Sequence, residues 1–474
     1  MQLVAFGPNH DEILSARPGV PSEGLLKKTS SFCRLRHPIP HKLARRVLGA
    51  MSKVLALDFG CVLRTISALA ALGFFPPVLA AQQVLAGGAN LFAPSPHAGR
   101  ELDAARALPV TSFYATDEVQ SDADPGTLVR SESATEYALP PGVTATRILY
   151  HYHTRKASNE DAIASGVVLV PYGGPPKGGW PLLAWSHGTS GVARACAPSL
   201  MKSLFYNWEG LYEYVLMGYA VVATDYAGLG TPGRHAYLDM LSNATDVINS
   251  IPAARAAVPN LSKKWLVVGH SQGGLSSLGV AQLEGTLKDP DFLGTVALAG
   301  ASDLEDGLDS VLRVKLPVLN GLVAFWVYGV KTVYPELDLK DILTGKALAV
   351  YSASVEDGCS AASGAFAALS SDEIFLPDWK SNKYVQQFFQ RDQPGKQTVY
   401  GPLLLVGGGG DILFTDAASR KVFQRLCRGG ARVQRKVYPG LGHDPVVYGS
   451  LRDQLHWIAA RFAGEPAPGN CPAP

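Results

Sequence analysis

A Gly-x-Ser-x-Gly segment at residues 269–273 restricts the possible folds of this chain more than any other part of its sequence. The apolar run Trp-Leu-Val-Val precedes it, and helix-compatible sequence follows to residue 283. This order predicts a buried strand, a sharp turn and a helix. Gly269 and Gly273 lack the Cβ atoms that would collide where strand and helix approach, so Ser271 can project its hydroxyl above a sheet.

The spacing of apolar runs predicts an α/β fold. Short continuous runs alternate with longer helical stretches, at residues 181–185, 220–224, 265–268, 296–298 and 403–406. Strands that are apolar on both sides suit a parallel sheet covered by helices on both faces. Three earlier runs are alternating or β-branched and predict antiparallel edge strands, at residues 128–137, 144–153 and 164–170. We therefore expect a mostly parallel sheet with an antiparallel N-terminal edge.

The alternation of strands and helices is lost between residues 303 and 398, which predicts an insertion over the sheet. We expect an N-terminal extension with a secretory signal segment at residues 1–80. The α/β core then has a first part at 81–302 and a second part at 399–474. The inserted cap, or lid, occupies 303–398.

Composition and charge fit a globular protein and disfavour nucleic acid as a partner. The chain is 47% hydrophobic and 17% charged, with 42 Lys and Arg against 40 Asp and Glu. An excess of +2 is too small to make a nucleic acid or an anionic membrane the expected partner. Residues 1–50 carry eight Lys and Arg against three acidic residues, so the positive excess lies in the leader.

The leader has the parts of an export signal. Lys53 precedes an apolar run that starts at Thr65 and ends in small residues, and we expect cleavage after Ala80. The expected location is secreted or periplasmic. A signal anchor or membrane helix is the alternative, but Arg64 and the proline pair at 76–77 leave less than the roughly 20 apolar residues that a span needs. A start at Met1 or at Met51, and a twin-arginine signal at 45–46, stay open.

Four cysteines remain after such a cleavage, at positions 196, 359, 427 and 471. An even number in an exported chain predicts two disulfides, which can pair in three ways. We favour Cys196 with Cys359 and Cys427 with Cys471, and four buried free thiols are the alternative. The sequence has no Cys-x-x-Cys, which disfavours a zinc knuckle.

A serine nucleophile needs a histidine base and a carboxylate that orients it. His443 follows the predicted strand at 432–438, and Asp411 follows the strand at 403–406 through the glycine run 407–410. Both therefore lie at the same sheet edge as Ser271, in the order Ser, Asp, His. Alternative carboxylates for the acid are Asp303, Asp416 and Asp444.

Acyl transfer also needs N–H donors for the oxyanion that develops on the substrate. The backbone N–H of Gln272, directly after the nucleophile, is the first candidate. The second is the N–H of Thr189, because Trp-Ser-His-Gly-Thr follows the strand at 181–185. A plain turn with His187 as a packed or capping residue is the alternative.

Together these residues resemble an α/β-hydrolase, and more narrowly the secretory lipase family. The resemblance covers residues 128–462 and rests on Ser-His-Gly-Thr at 186–189, Cys-Ala-Pro-Ser at 196–199, residues 225–230 and 269–274, Asp411 and His443. It implies hydrolysis of carboxylic esters, often acylglycerols, with a cap that shapes the acyl tunnel. A transient contact of the cap with a lipid surface is a further expectation. By position, Ser271 is the nucleophile, Asp411 the acid and His443 the base. The glycine run before Asp411 departs from the more polar family pattern.

This chemistry needs no metal or organic cofactor, and an ester substrate, a lipid or an acylated small molecule, is the expected partner. Two other functions stay open at this point. The first is a peptidase or polysaccharide-deacetylating esterase on the same scaffold, because the triad fixes the chemistry while the cap fixes the substrate. The second is a binding protein that keeps the fold without catalysis. The sequence does not predict the oligomeric state.

Overall fold

A computed structural model of the chain describes residues 107–116, 123–153, 161–205, 211–356, 359, 365–391 and 393–472. The expected signal segment and its cleavage after Ala80 lie outside these residues. No helix in the described part of the chain has both the length and the apolar character of a membrane span.

A nine-stranded mixed sheet organises the described part of the chain. Its strands are β1 (Leu128–Ala134), β2 (Thr144–His153), β3 (Asp161–Val170), β4 (Trp180–Ser186), β5 (Ala220–Thr224), β6 (Leu261–His270), β7 (Phe292–Leu298), β8 (Leu403–Gly408) and β9 (Val433–Tyr438). They lie in the order β1-β2-β3-β5-β4-β6-β7-β8-β9. The pairs β1–β2, β2–β3 and β3–β5 are antiparallel, and all later pairs are parallel. The predicted parallel sheet with an antiparallel N-terminal edge is confirmed.

Helices cover both faces of this sheet. The helices of the described residues, including those of the segment between β7 and β8, are α1 (Leu211–Leu216), α2 (Met240–Ala257), α3 (Gln272–Leu287), α4 (Leu304–Val314), α5 (Asn320–Val333), α6 (Gly345–Glu356), α7 (Lys383–Arg391), α8 (Asp416–Arg428), α9 (Pro445–Gly449) and α10 (Leu451–Phe462). Alternate residues of β4 pack on opposite sides, since Leu182 joins a cluster with α2 and α3, while Leu183 joins one with α1 and α10. This is why the central strands are apolar at every position.

The insertion between β7 and β8 has an aromatic core of its own. It contains α4 to α7 and the 3-10 turns Pro317–Leu319, Leu339–Asp341, Ala365–Ala368, Ser371–Glu373 and Trp379–Ser381. Trp326 of α5 is 2% exposed, and its ring centroid lies 5.4–6.2 Å from those of Phe375, Trp379, Phe388 and Phe389. Its apolar cluster continues into α3 and the adjacent sheet face. We propose that this insertion is the cap, with the boundaries 303–398.

Two disulfides have the pairing that we favoured. Cys196 bonds to Cys359 and joins the loop after β4 to the insertion. Cys427 bonds to Cys471 and joins the end of α8 to the C-terminal segment.

Candidate active site

Ser271 lies in a strained turn between β6 and α3. Its backbone has φ 57° and ψ −119°, a region that costs free energy in a residue with a Cβ, and its N–H donates to the Leu298 carbonyl at 2.9 Å. The flanking glycines are required by close packing. A Cβ on Gly269 would lie 2.2 Å from the Gly273 carbonyl oxygen, and one on Gly273 would lie 1.8 Å from that of Ser186. The structure therefore has the predicted strand, turn and helix.

Loops after three strands bring Ser271, His443 and Asp411 together. His443 Nε2 lies 2.8 Å from the Ser271 hydroxyl oxygen, and His443 Nδ1 lies 2.9 Å from Asp411 Oδ2. When the serine hydroxyl donates to Nε2, the neutral imidazole must carry its own proton on Nδ1. This Nδ1–H can then donate to the carboxylate of Asp411. The arrangement can pass a proton from the hydroxyl to the imidazole.

Asp411 is buried, but its surroundings favour the charged carboxylate. Its Oδ1 accepts from the backbone N–H groups of Leu413 at 2.8 Å and Phe414 at 3.0 Å. Burial alone would raise the pKa of Asp411, but His443 and these N–H donors hold the pKa below its usual value. The carboxylate can therefore stabilise a charged imidazole.

The glycine run before Asp411 lets two loops meet backbone to backbone. A Cβ on Gly408 would lie 2.4 Å from the carbonyl oxygen of Leu441, two residues before His443. The Gly410 N–H donates to that same carbonyl at 2.8 Å. The run thus brings the loop of Asp411 against the loop of His443, which explains the departure from the family pattern.

The alternative carboxylates have other contacts. Asp303 lies at the N-terminus of α4 and pairs with Arg425 at 2.5 Å. Asp416 begins α8 and pairs with Arg420 at 2.9 Å and with Arg435. Asp444 Oδ1 lies 3.9 Å from His270 Nε2. Among the four candidates, Asp411 is the one whose oxygen lies at hydrogen-bond distance from His443 Nδ1.

Two rings lie against the imidazole of His443. Phe414 stacks on it with centroids 5.5 Å apart, and His270 lies at 4.9 Å. His270 Nε2 is also 3.3 Å from the His443 carbonyl oxygen. The sequence placed His270 beside the nucleophile but missed Phe414, whose position three residues after Asp411 was the available signal.

The candidate oxyanion donors belong to the start of α3 and to the loop after β4. Gln272 opens α3, and Thr189 follows β4, whose Ser186 is in register with Gly269. His187 is buried at the start of this loop, with Nε2 3.1 Å from the Asp225 carbonyl oxygen. Burial lowers the pKa of His187 to about 4, so the ring is neutral near pH 7 and acts as a packed anchor of the loop.

Asp225, the first residue of the segment 225–230, is a buried polar centre whose contacts the sequence did not predict. Its carboxylate accepts from the Ser165 hydroxyl at 2.6 Å, from the Ser199 N–H at 2.8 Å and from the Ser199 hydroxyl. Burial raises the pKa of Asp225 to about 6 although these donors favour the charged form. It joins β3 and the end of β5 to the Cys-Ala-Pro-Ser segment.

Among the described residues, one group of side chains could offer ligands to a metal ion. Ligand atoms of His270, His443 and Asp444 lie within 4.8 Å of one another. Both ring nitrogens of His443 are already at hydrogen-bond distance from Ser271 and Asp411. A metal at this position would compete with those two contacts.

The comparison with protein families agrees with this geometry. The family model described as secretory lipase matches residues 206–470. The chain belongs to the secretory lipase family. As a member of this family, the chain is a carboxylic-ester hydrolase. No curated protein sequence matches it significantly.

Solved structures share the fold of this secretory lipase. Candida antarctica lipase A in its closed state aligns with a TM-score of 0.63 and 16% identity, over 77% of this chain and 90% of that one. A rice cell wall degrading esterase, LipA from Xanthomonas oryzae, aligns with a TM-score of 0.59 and 20% identity, over 72% of this chain and 98% of that one. At such identities the likeness establishes the α/β-hydrolase fold alone.

Proposed function

We propose that this secretory lipase is an exported serine hydrolase that cleaves carboxylic esters through Ser271, His443 and Asp411. The observation that carries the proposal is the continuous row of two hydrogen bonds, 2.8 Å from Ser271 to His443 and 2.9 Å from His443 to Asp411. These distances are within the range required of a nucleophile, its base and the group that orients the base.

In the proposed reaction, His443 takes the hydroxyl proton as the Ser271 oxygen attacks the ester carbonyl. Asp411 keeps the Nδ1 proton in place and stabilises the imidazolium. The backbone N–H groups of Gln272 and Thr189 donate to the oxyanion. His443 then protonates the leaving alkoxide, which departs as the alcohol and leaves an acyl-serine. A water molecule, deprotonated by His443, attacks the acyl-serine, and the acid is released with Ser271 restored.

Labelling with a fluorophosphonate tests the nucleophile. We expect the label on Ser271, and neither labelling nor ester hydrolysis in Ser271→Ala. His443→Ala should nearly abolish turnover with the fold intact, whereas His456→Ala, at an exposed position of α10, should retain it. An active and folded His443→Ala enzyme, or a label on another residue, would contradict the mechanism.

A substrate panel tests the class of ester. We propose a lipid or acylated small molecule as the substrate, with a lipase or carboxylesterase specificity set by the insertion. Rising chain length in p-nitrophenyl esters separates the two, because a lipase prefers long chains and an esterase short ones. Cleavage of a peptide anilide alone would indicate a peptidase, deacetylation of an acetylated polysaccharide alone a deacetylating esterase, and no labelling a binding protein.

Export is the remaining part of the proposal. It is supported by the family, by the two disulfides and by the apolar segment before Ala80. N-terminal sequencing of protein recovered outside the cytoplasm should find Ala81 first. Recovery of a cytoplasmic protein with an intact leader would contradict it.

A further inference from the structure

The loop between β5 and α2, residues 225–239, contacts the side chains of both candidate oxyanion residues; we name it the bridging loop. The hydroxyls of Tyr237 and Thr189 lie 2.7 Å apart. Gln272 Nε2 lies 2.9 Å from His235 Nε2 and 3.1 Å from Asn243 Oδ1, at the start of α2. Burial lowers the pKa of His235 to about 3, so its neutral ring can accept from the Gln272 amide.

The bridging loop is also fixed to the inserted helices. A Cβ on Gly329 of α5 would lie 2.2 Å from the Tyr237 carbonyl oxygen, so helix and loop touch through their backbones. The Tyr237 ring meets that of Phe325 edge to face at 6.0 Å. At its end, Asp239 pairs with Arg391 of α7 at 2.7 Å. The loop therefore lies between the insertion and the oxyanion residues.

Tyr237 is the residue in which these two sets of contacts meet. It is 3% exposed, and burial raises its pKa well above the usual value, so the hydroxyl stays protonated through the pH range of ester hydrolysis. Thr189 is held by the hydroxyl of Tyr237, while the ring and backbone of Tyr237 are held by α5.

We propose that Tyr237 is a positioning residue of ester hydrolysis, which holds Thr189 at the oxyanion site through its hydroxyl and is itself held by α5. The inference rests on the proposed function, because it assigns Thr189 N–H to the oxyanion. An oxyanion donor acts only when it lies at about 2.7–3.1 Å from the developing charge. Losing the hydroxyl frees Thr189 to shift, and the transition state loses more stabilisation than the bound substrate does.

Tyr237→Phe is the first test, because it removes only the hydroxyl. Misplacement of a catalytic group by about 1 Å can cost on the order of 100-fold in rate, so we expect kcat to fall by about 10- to 100-fold. KM should change little, and inactivation by a fluorophosphonate should slow by the same factor as kcat/KM. The matched control is Tyr214→Phe, which also loses a buried hydroxyl, hydrogen-bonded to Gln454, in the cluster on the other face of the sheet. It should retain wild-type kcat.

A double-mutant cycle separates positioning from a general loss of stability. Thr189→Val removes the other partner of the same hydrogen bond and should lower kcat like Tyr237→Phe. Thr189→Ser keeps a hydroxyl for this bond and should lose less of kcat than Thr189→Val. The double variant Tyr237→Phe with Thr189→Val should lose no more than the larger single loss. Thr189→Val also continues the test if Tyr237→Phe does not accumulate as folded protein.

The outcomes distinguish this inference from the proposed function. Additive losses, or a Tyr237→Phe enzyme as fast as Tyr214→Phe, overturn the positioning role of Tyr237 even if wild-type enzyme is labelled at Ser271. An enzyme that is not labelled at Ser271, or a Ser271→Ala variant that still hydrolyses esters, overturns both.

Discussion

Asp411 and Asp246 are both buried carboxyl groups, yet their surroundings shift their pKa values in opposite directions. Burial opposes ionisation of both. At Asp411, His443 and two backbone N–H donors outweigh burial and lower the pKa. At Asp246, burial and the negative Asp239 outweigh the single N–H of Ala227 and raise the pKa to about 8. The balance between burial on one side and the neighbouring charges and donors on the other decides the charge of a buried carboxyl group.

Asp411→Asn should lower kcat by about 10⁴-fold, because an amide can hold His443 in the wrong tautomer. The stability difference between this variant and wild type should also depend on pH. A carboxyl with a lowered pKa stabilises the fold above the unfolded value of 3.8, and this is lost as pH falls through the folded value. The stability deficit of the variant should therefore shrink below pH 3.8, as measured by urea denaturation. Asp303→Asn, which breaks the pair with Arg425, is the control and should keep kcat.

Asp246→Asn should stabilise the protein at pH 7 to 8. A carboxyl with a raised pKa contributes stability that is complete below the unfolded value of 3.8 and is lost as pH rises through the folded value of about 8. The neutral amide avoids this loss and can still accept from Ala227. The gain over wild type, measured by urea denaturation, should vanish near pH 4. Asp372→Asn at an exposed site should show no such trend, and a variant equally or less stable at pH 8 would refute the burial argument.

At the scale of elements, continuous apolar runs predicted mainly buried residues of the central parallel strands β5 and β6 and little beyond them. Residues 220–224 form β5 as predicted, since all five are buried. The run at 265–268 predicted only the middle of β6, which extends over Leu261–His270. Its first four residues are polar or partly exposed, with Lys263 and Lys264 facing solvent, so hydrophobicity does not mark them. Backbone hydrogen bonds to the neighbouring strands let a strand continue beyond its buried residues.

Gly408→Ala should reduce catalysis by separating the loops of Asp411 and His443. Its new Cβ would meet the Leu441 carbonyl at 2.4 Å, a backbone atom that can move only with its loop. We expect kcat to fall by about 100-fold, since a displacement near 1 Å suffices for that. Gly407→Ala is the adjacent control, because no described atom lies within 4 Å of a Cβ there. Equal activity of the two variants in an ester assay would exclude this role for the close approach.

At the scale of the molecule, the Cys196–Cys359 disulfide joins the insertion to the loop that carries Thr189. A Cβ on Gly191 would lie 2.6 Å from Cys196 Sγ and 2.9 Å from the Cα of Cys359, so this loop packs directly on the disulfide. Together with the bridging loop, it connects the insertion to the same side of the candidate site.

Replacing Cys196 and Cys359 by Ser should lower the free energy of unfolding more than replacing Cys427 and Cys471 by Ser. The two bonds close loops of 163 and 44 residues, and the longer loop loses about 1 kcal/mol more chain entropy when closed. The first double variant should also lose kcat, because the loop of Thr189 loses its packing, whereas the second should keep it. Urea denaturation and ester hydrolysis measure the two effects. Equal kcat in both variants would show that the Cys196–Cys359 bond does not support the candidate site.

The sequence by itself determined the features that depend on neighbouring residues: the order of strands and helices, the turn at Ser271 and the placement of Asp411 and His443 on loops after strands. The spacing of apolar residues and of glycines indicates these features directly. The tertiary structure alone decided which carboxylate meets His443, why Gly408 must lack a side chain, and that Tyr237 lies against Thr189 while Phe414 covers the imidazole. Such contacts join segments far apart in the chain, and their distances are set by strand order and close packing, which local patterns do not encode.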